Sequence, residues 1–213
     1  MVSETVLYDY WRSSASYRLR IALNLAGIPY RAVPVDLVQG KHRAPDHLAR
    51  NPQGMVPVLE IDGLMLTQSL AILDYLDRTR AMGLLPDAPA DRARAQALAH
   101  VLAVDIHPVC NLKVARHATA LSAGQGDMPG DWMRHFIRPG LQAFETLLSG
   151  VDQAPYCTGS APGLADICLM PQLYNARRWE VEIGDLPRTL AVEAACANHP
   201  AFAAAHPDAC KPG

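Results

Sequence analysis

Apolar residues recur along this chain in two rhythms, and the change from one to the other comes once. In the first 80 residues, short apolar runs of strand length alternate with segments of helical period. Residues 6–10 predict a strand. It runs into Trp11-Arg12-Ser13-Ser14-Ala15-Ser16, after which Tyr17, Ile21, Ala22 and Leu25 return at helical spacing. Gly27 supplies the left-handed residue that ends such a helix, and Pro29 cannot continue it. Residues 30–35 predict a second strand, and residues 45–50 a short helix closed by the turn Asn51-Pro52-Gln53-Gly54. Residues 56–61 predict a third strand with Pro57 near its start. Asp62-Gly63 is a two-residue hairpin turn into Leu64-Met65-Leu66. A helix over 70–79 follows, with Ile72, Leu73 and Leu76 inward.

Beyond residue 80 the strand rhythm stops. A Gly and two Pro within residues 81–89 mark a linker. The helical period then predicts one long helix over 91–119, kinked at Pro108, a Gly-rich loop over 122–130, and a helix over 132–148 that Pro139-Gly140 must bend or interrupt. A helix over 164–179 and a short last one over 187–197 complete the pattern, with a loose tail from His206. The fold class is therefore an α/β half, residues 1–80, joined through 81–89 to an all-α half, residues 90–213.

Composition narrows the setting. The chain has 213 residues and a formal net charge of −2, which gives no global pull toward nucleic acid or anionic lipid. It has no run of 18 apolar residues, and its first residues lack a signal-peptide pattern, so a cytoplasmic protein that neither spans nor binds membrane is expected. The five cysteines contain no C-x-x-C, which argues against a disulfide framework and a clustered-cysteine metal site. His107 stands alone beside Pro108, without a partner at metal-ligand spacing, so no metal is expected.

Chemistry concentrates at helix starts. Serines ahead of a helical pattern accept hydrogen bonds from its free N–H groups, and the same helix end favours anions, thiolates included. Residues 13–16 are thus either a capped helix or the seat of an ionised thiol, and the residues alone leave both readings open. Gln68-Ser69 poses the same question two helices later.

The Tyr10-Trp11-Arg12-Ser13-Ser14 start and Arg18-Leu19-Arg20-Ile21-Ala22-Leu23 resemble the zeta class of glutathione transferases, the family of maleylacetoacetate and maleylpyruvate isomerases. So do Asn51-Pro52-Gln53-Gly54-Met55-Val56-Pro57, Gln68-Ser69-Leu70-Ala71-Ile72 and Ala165-Asp166-Ile167-Cys168-Leu169-Met170-Pro171-Gln172. The resemblance covers nearly the whole chain. It implies a thioredoxin-like N-terminal domain, a helical C-terminal domain, glutathione in the cleft between them, and a homodimer. By the same resemblance, Ser13 and Ser14 serve the glutathione sulfur, Val56 presents its backbone from a cis bond to Pro57, and Gln68 and Ser69 take the γ-glutamyl carboxylate. Arg178, and with it Arg12, would hold a small dicarboxylate substrate, the second arginine of Arg177-Arg178 being the one that points into the family's substrate site.

Two departures qualify it. Ala15 stands where the signature commonly has Cys, and Gly163 where helix 164–179 commonly has a Ser or Thr cap, leaving Asp166 to bond back to the helix start. The activity implied is glutathione-dependent cis–trans isomerisation of maleylacetoacetate. Cys110-Asn111-Leu112-Lys113, in place of the paired arginines maleylpyruvate isomerases can carry there, tilts away from maleylpyruvate. Conjugation or dehalogenation of small α-halo acids, and a non-catalytic binding module, are the alternatives.

Overall fold

The computed structural model describes residues 4–122, 127–151 and 154–212. They divide into two compact units, Met1–Met82 together with His199–Gly213, and Gly83–Asn198.

The first unit is built on a four-stranded sheet of order β2-β1-β3-β4: β1 Val6–Asp9, β2 Arg31–Pro34, β3 Val58–Ile61 and β4 Leu64–Thr67. β1 runs parallel to β2 and antiparallel to β3. The parallel pair needs a crossover, which α1, Ser14–Leu25, supplies. α1 ends as Gly27 and Pro29 predict: the Ile28 N–H reaches Leu23 O, the Gly27 N–H reaches Asn24 O, and Gly27 has φ +62°. Asp62 and Gly63 both take positive φ, the backbone a tight hairpin between twisted strands requires. α2, Pro45–Arg50, and α3, Ser69–Arg80, complete the α/β layer.

One buried side chain stitches this unit together. Arg20 is 1 % exposed and donates to both carboxylate oxygens of Asp9 at 2.8 and 2.9 Å, to Trp11 O and to Ala205 O. The last of these is on α10, Pro200–Ala205. α10 packs on α1, caps itself through His199 and buries Phe202, and the tail from His206, expected to be loose, holds a further turn at Pro207–Ala209 with Pro207 buried. The sequence reading misses α10 because six residues are too few for a helical period to show.

The second unit is helical. α4, Pro89–His100, runs into a π-helical segment, Val101–Ile106, and a single turn, α5, His107–Val109. After a 42° bend comes α6, Leu112–Leu121. The expected single helix 91–119 is thus broken. Pro108 cannot donate to the helix ladder, and just before it the His107 N–H reaches back five residues to Leu102 O. Asn111 then starts afresh as an N-cap, its side chain accepting from Lys113 N–H. α7, Met128–Leu148, does the opposite and runs uninterrupted through Pro139-Gly140. A Cβ on Gly140 would lie 2.5 Å from the Ile106 side chain, so the missing side chain lets α7 approach the π segment closely. Part of the Gly-rich loop, residues 123–126, lies outside the described residues. α8, Leu164–Arg178, and α9, Pro187–Ala197, complete the unit. Among the described residues no single helix is long and apolar enough to cross a membrane.

Candidate active site

The start of α1 follows directly from β1. The Ser13 N–H bonds Tyr10 O, turning the chain, and Ser13 takes an extended N-cap conformation. Its hydroxyl accepts the Ser16 N–H at 3.2 Å, so the capping reading of Ser13 holds. The bond uses a lone pair on oxygen and leaves the hydroxyl proton free to be donated. Ser14 is the first helical residue, half-buried, and no hydrogen bond holds its hydroxyl among the described residues. Arg12 lies over the Trp11 ring at 4.8 Å and donates to the Tyr10 hydroxyl at 3.1 Å, fixing a half-buried cation one residue before the serines.

The start of α3 faces the same α1. Gln68 has φ +68° and ψ 106°, a strained conformation for a residue with a side chain. Its side-chain amide donates to Gln53 Oε1 at 2.7 Å. Ser69 is buried, and its hydroxyl accepts from the buried Arg18 guanidinium at 3.0 Å. Gln53 belongs to the loop 51–57, held by two side chains on one carbonyl. The Asn51 amide and His47 Nε2 each lie 2.9 Å from Met55 O, and since a carbonyl only accepts, the His47 proton is on Nε2. The Val56–Pro57 bond that follows is cis, as the resemblance implies.

The structure thus gathers Arg12, Ser13, Ser14, Val56, Gln68 and Ser69 in the first unit. Arg178 belongs to the second, at the end of α8, where its guanidinium lies 4.9 Å over the Trp179 ring. Its neighbour is accounted for differently: Arg177 makes a two-pronged pair with Glu193 of α9. Sequence spacing reports neither contact.

The profile of the family described as Glutathione S-transferase, N-terminal domain, matches residues 3–78. Maleylacetoacetate isomerase of Rhizobium meliloti (strain 1021) is 57% identical over 214 residues, covering 100% of both chains. A holo structure of a maleylpyruvate isomerase, described as a bacterial glutathione S-transferase of the zeta class, superposes with TM-score 0.92 at 38% identity, covering 96% of this chain and 97% of the other. The chain belongs to the zeta class of glutathione transferases. A maleylacetoacetate isomerase from Methylobacterium extorquens AM1, solved with malonate and glutathione bound, superposes with TM-score 0.90 at 39% identity over 98% of each chain.

This zeta-class chain also carries site-supporting residues that sequence reasoning passes over. Asn51 and Gln53 sit in the predicted turn and His47 in the short helix before it, and none of the three is singled out by sequence. The backbone alternation of Asn-Pro-Gln-Gly signals the turn but not the carbonyl that Asn51 and His47 share. Arg18 lies 51 residues from its partner Ser69, a separation no local pattern reports.

Proposed function

We propose that this chain is a glutathione-dependent cis–trans isomerase of maleylacetoacetate, working as a cytoplasmic homodimer. The observation that carries the proposal is full-length identity of 57% with a maleylacetoacetate isomerase, in a chain that keeps both serines and the strained Gln68.

The residues fit glutathione. Two helix starts offer N–H groups and hydroxyls to anionic groups, and a buried guanidinium stands behind one of them. When bound, glutathione supplies a thiolate whose reversible addition to the cis double bond allows rotation to the trans form. Ser13 donates its spare proton to sulfur and, with the N–H groups of α1, favours the ionised form. Its oxygen is already oriented by the cap bond, so this donor needs no ordering at the moment of reaction. Ser14 assists from a hydroxyl that must be ordered on binding. The Val56 backbone takes the peptide portion, and Gln68 and Ser69 take the γ-glutamyl carboxylate at the start of α3. Arg178 pairs with a substrate carboxylate through its planar fork, and Arg12, held on Trp11, stabilises the oxygen on which negative charge develops.

Maleylpyruvate is the second reading, favoured by the superposition with a maleylpyruvate isomerase. Steady-state rates for both acids, with and without glutathione, decide between them: the specificity constant should be higher for maleylacetoacetate and fall to background without glutathione. Arg178→Ala should raise the Michaelis constant for the acid by about 10- to 150-fold, while Arg177→Ala leaves it within about 3-fold. Retention on immobilised glutathione with turnover of neither acid would establish a binding module instead.

A further inference from the structure

The end of the chain returns to the start of α1. One guanidinium holds the two in register: Arg20 donates to Trp11 O at 2.9 Å and to Ala205 O at 3.0 Å. From there the turn Pro207–Ala209 carries the tail onward, with the Cys210 N–H bonded to His206 O and Pro207 O and the His206 ring edge-on to Tyr17. Lys211 follows. Its Nζ lies 5.6 Å over the Trp11 ring, which also holds the Arg12 guanidinium at 4.8 Å. Two cations from opposite ends of the chain thus share one indole. An aromatic ring fixes where a cation lies without cancelling its charge. Among the described residues neither cation has a carboxylate partner: Arg12 donates to the Tyr10 hydroxyl and lies over the Tyr10 and Trp11 rings, and Lys211 lies over Trp11. In the same unit Arg20, Arg31, Arg78 and Arg80 each pair with a carboxylate. The patch on Trp11 is therefore of one sign, directly before the serines, and draws an anion from solution.

We propose that Lys211 is a substrate-binding residue: its ammonium, beside Arg12 on Trp11, takes the carboxylate at the end of the acid's diketo arm. The inference rests on the proposed isomerase reading of the serine start. Arg12 serves the ketone oxygen on which charge develops, and the terminal carboxylate lies four carbons further along the same arm. That arm is flexible, and an exposed ammonium on a flexible stem meets a carboxylate in many orientations.

The test measures steady-state constants for maleylacetoacetate and for the mono-acid that carries hydrogen in place of its terminal carboxylate, with glutathione dissociation constants by calorimetry. Lys211→Ala should raise the Michaelis constant for the diacid about 3- to 5-fold at low salt, the size of an exposed ion pair. The mono-acid constant and glutathione affinity should stay within about 1.5-fold. Lys211→Glu, which turns attraction into repulsion, should raise the diacid constant about 10- to 20-fold, and Lys211→Arg should keep it within about 2-fold of wild type. Half-molar salt should shrink the alanine effect below about 2-fold. Equal losses for both acids would make Lys211 a structural residue of the Trp11 turn and overturn the inference. A fall in glutathione affinity with the diacid constant unchanged would give the charge to a glutathione carboxylate and overturn it as well. A wild-type protein that turns over neither acid would break the isomerase reading on which the inference stands, and so overturn both.

Discussion

Two helix starts in this molecule solve the same electrostatic problem in opposite ways. α1 begins with a hydroxyl, Ser13, half-buried, which accepts from Ser16 N–H and still has a proton to give. α8 begins with Gly163 and is closed by a carboxylate three residues in. Asp166, 0 % exposed, accepts the Gly163 N–H at 2.8 Å and the Cys157 N–H at 2.9 Å, with the Cys196 thiol beyond. A carboxylate only accepts, and its negative charge already answers the helix dipole, so α8 has nothing left for a ligand. A neutral cap that both accepts and donates leaves its helix start open to an incoming anion. The lesson is that an anionic cap in the interior marks structure, and a hydroxyl cap near the surface marks a candidate site.

The largest expected effect comes from removing the anionic cap. Asp166→Ala orphans two buried N–H groups, each costing about 1–3 kcal/mol, for a loss of about 3 kcal/mol in all. For a chain of this size that is a fall of about 6–12 °C in melting temperature. Activity per folded molecule should survive. A variant that keeps its melting temperature but loses turnover would reverse the comparison and make α8 the functional start.

The next effect separates the two serines. Ser13→Ala should cost about 1 kcal/mol of stability through the lost cap, and about 10- to 150-fold in the specificity constant through the lost bond to an ionised sulfur. Ser14→Ala should leave melting unchanged and reduce turnover by only about 5-fold, since its hydroxyl is not held in advance. Ultraviolet titration of the bound thiol checks the cause: the Ser13 variant should need a higher pH for thiolate absorbance. If Ser14→Ala is the more damaging, the cap bond withholds Ser13 from chemistry and the rule drawn from α1 fails.

How much of this contrast could be read from sequence depends on distance along the chain. The Ser-rich start, the Gly27 stop, the Asp62-Gly63 hairpin and the 45–50 and 187–197 helices rest on neighbours within a few residues, and the structure has them. The Asp166 cap is also local, three residues from Gly163. The full break near Cys110, where only a kink at Pro108 is expected, and the lack of an interruption of α7 at Pro139 are outcomes a proline alone leaves open; at Gly140 the close approach of Ile106 is a contact no local pattern reports. Gln53 with Gln68, Arg18 with Ser69, and Arg177 with Glu193 are long-range pairs that no period or turn signal encodes.

The surroundings of the two starts also differ in how they meet alkali. Near α8, burial is the main cause that pushes the Cys157 and Cys196 thiols up, with the Asp166 charge adding to it. Elsewhere in that unit burial alone pushes Cys110 to about 12. A thiol raised in the folded state stays protonated there while the unfolded chain ionises. Its contribution to stability is therefore present below about pH 9 and lost as pH rises through the folded value, by about 1.4 kcal/mol per pH unit per thiol. Melting temperature should fall steadily between pH 9 and 10.5, and Cys110→Ala should make the slope shallower. A flat profile would mean these thiols are as open to water as the start of α1.

The smallest effect comes from trying to turn one start into the other. Gly163→Ser gives α8 a hydroxyl cap. Glycine is itself a tolerable cap, so the gain available is only a few tenths of a kcal/mol. Gly163 has φ −118°, a conformation open to serine, so no backbone strain opposes the change. Space does: a Cβ there would lie 3.0 Å from Leu84 O, which is backbone, and 3.4 Å from Thr158 Oγ1. The Leu84 carbonyl is also held by the Leu164 N–H at 2.8 Å, so it cannot retreat without weakening that bond. The new hydroxyl would look for the N–H of residue 166, the usual partner of such a cap, which already bonds the Asp166 carboxylate, leaving it little to satisfy. The net change should therefore lie within about 0.5 kcal/mol of zero, below 2 °C in melting temperature. In an Asp166→Ala background the same serine should recover about 1 kcal/mol, because the N–H of residue 166, freed of its own carboxylate, then has the hydroxyl to bond. Thermal melts of the two single variants and the double variant measure that difference. Equal effects of Gly163→Ser in both backgrounds would show that the carboxylate does not occupy the start of α8.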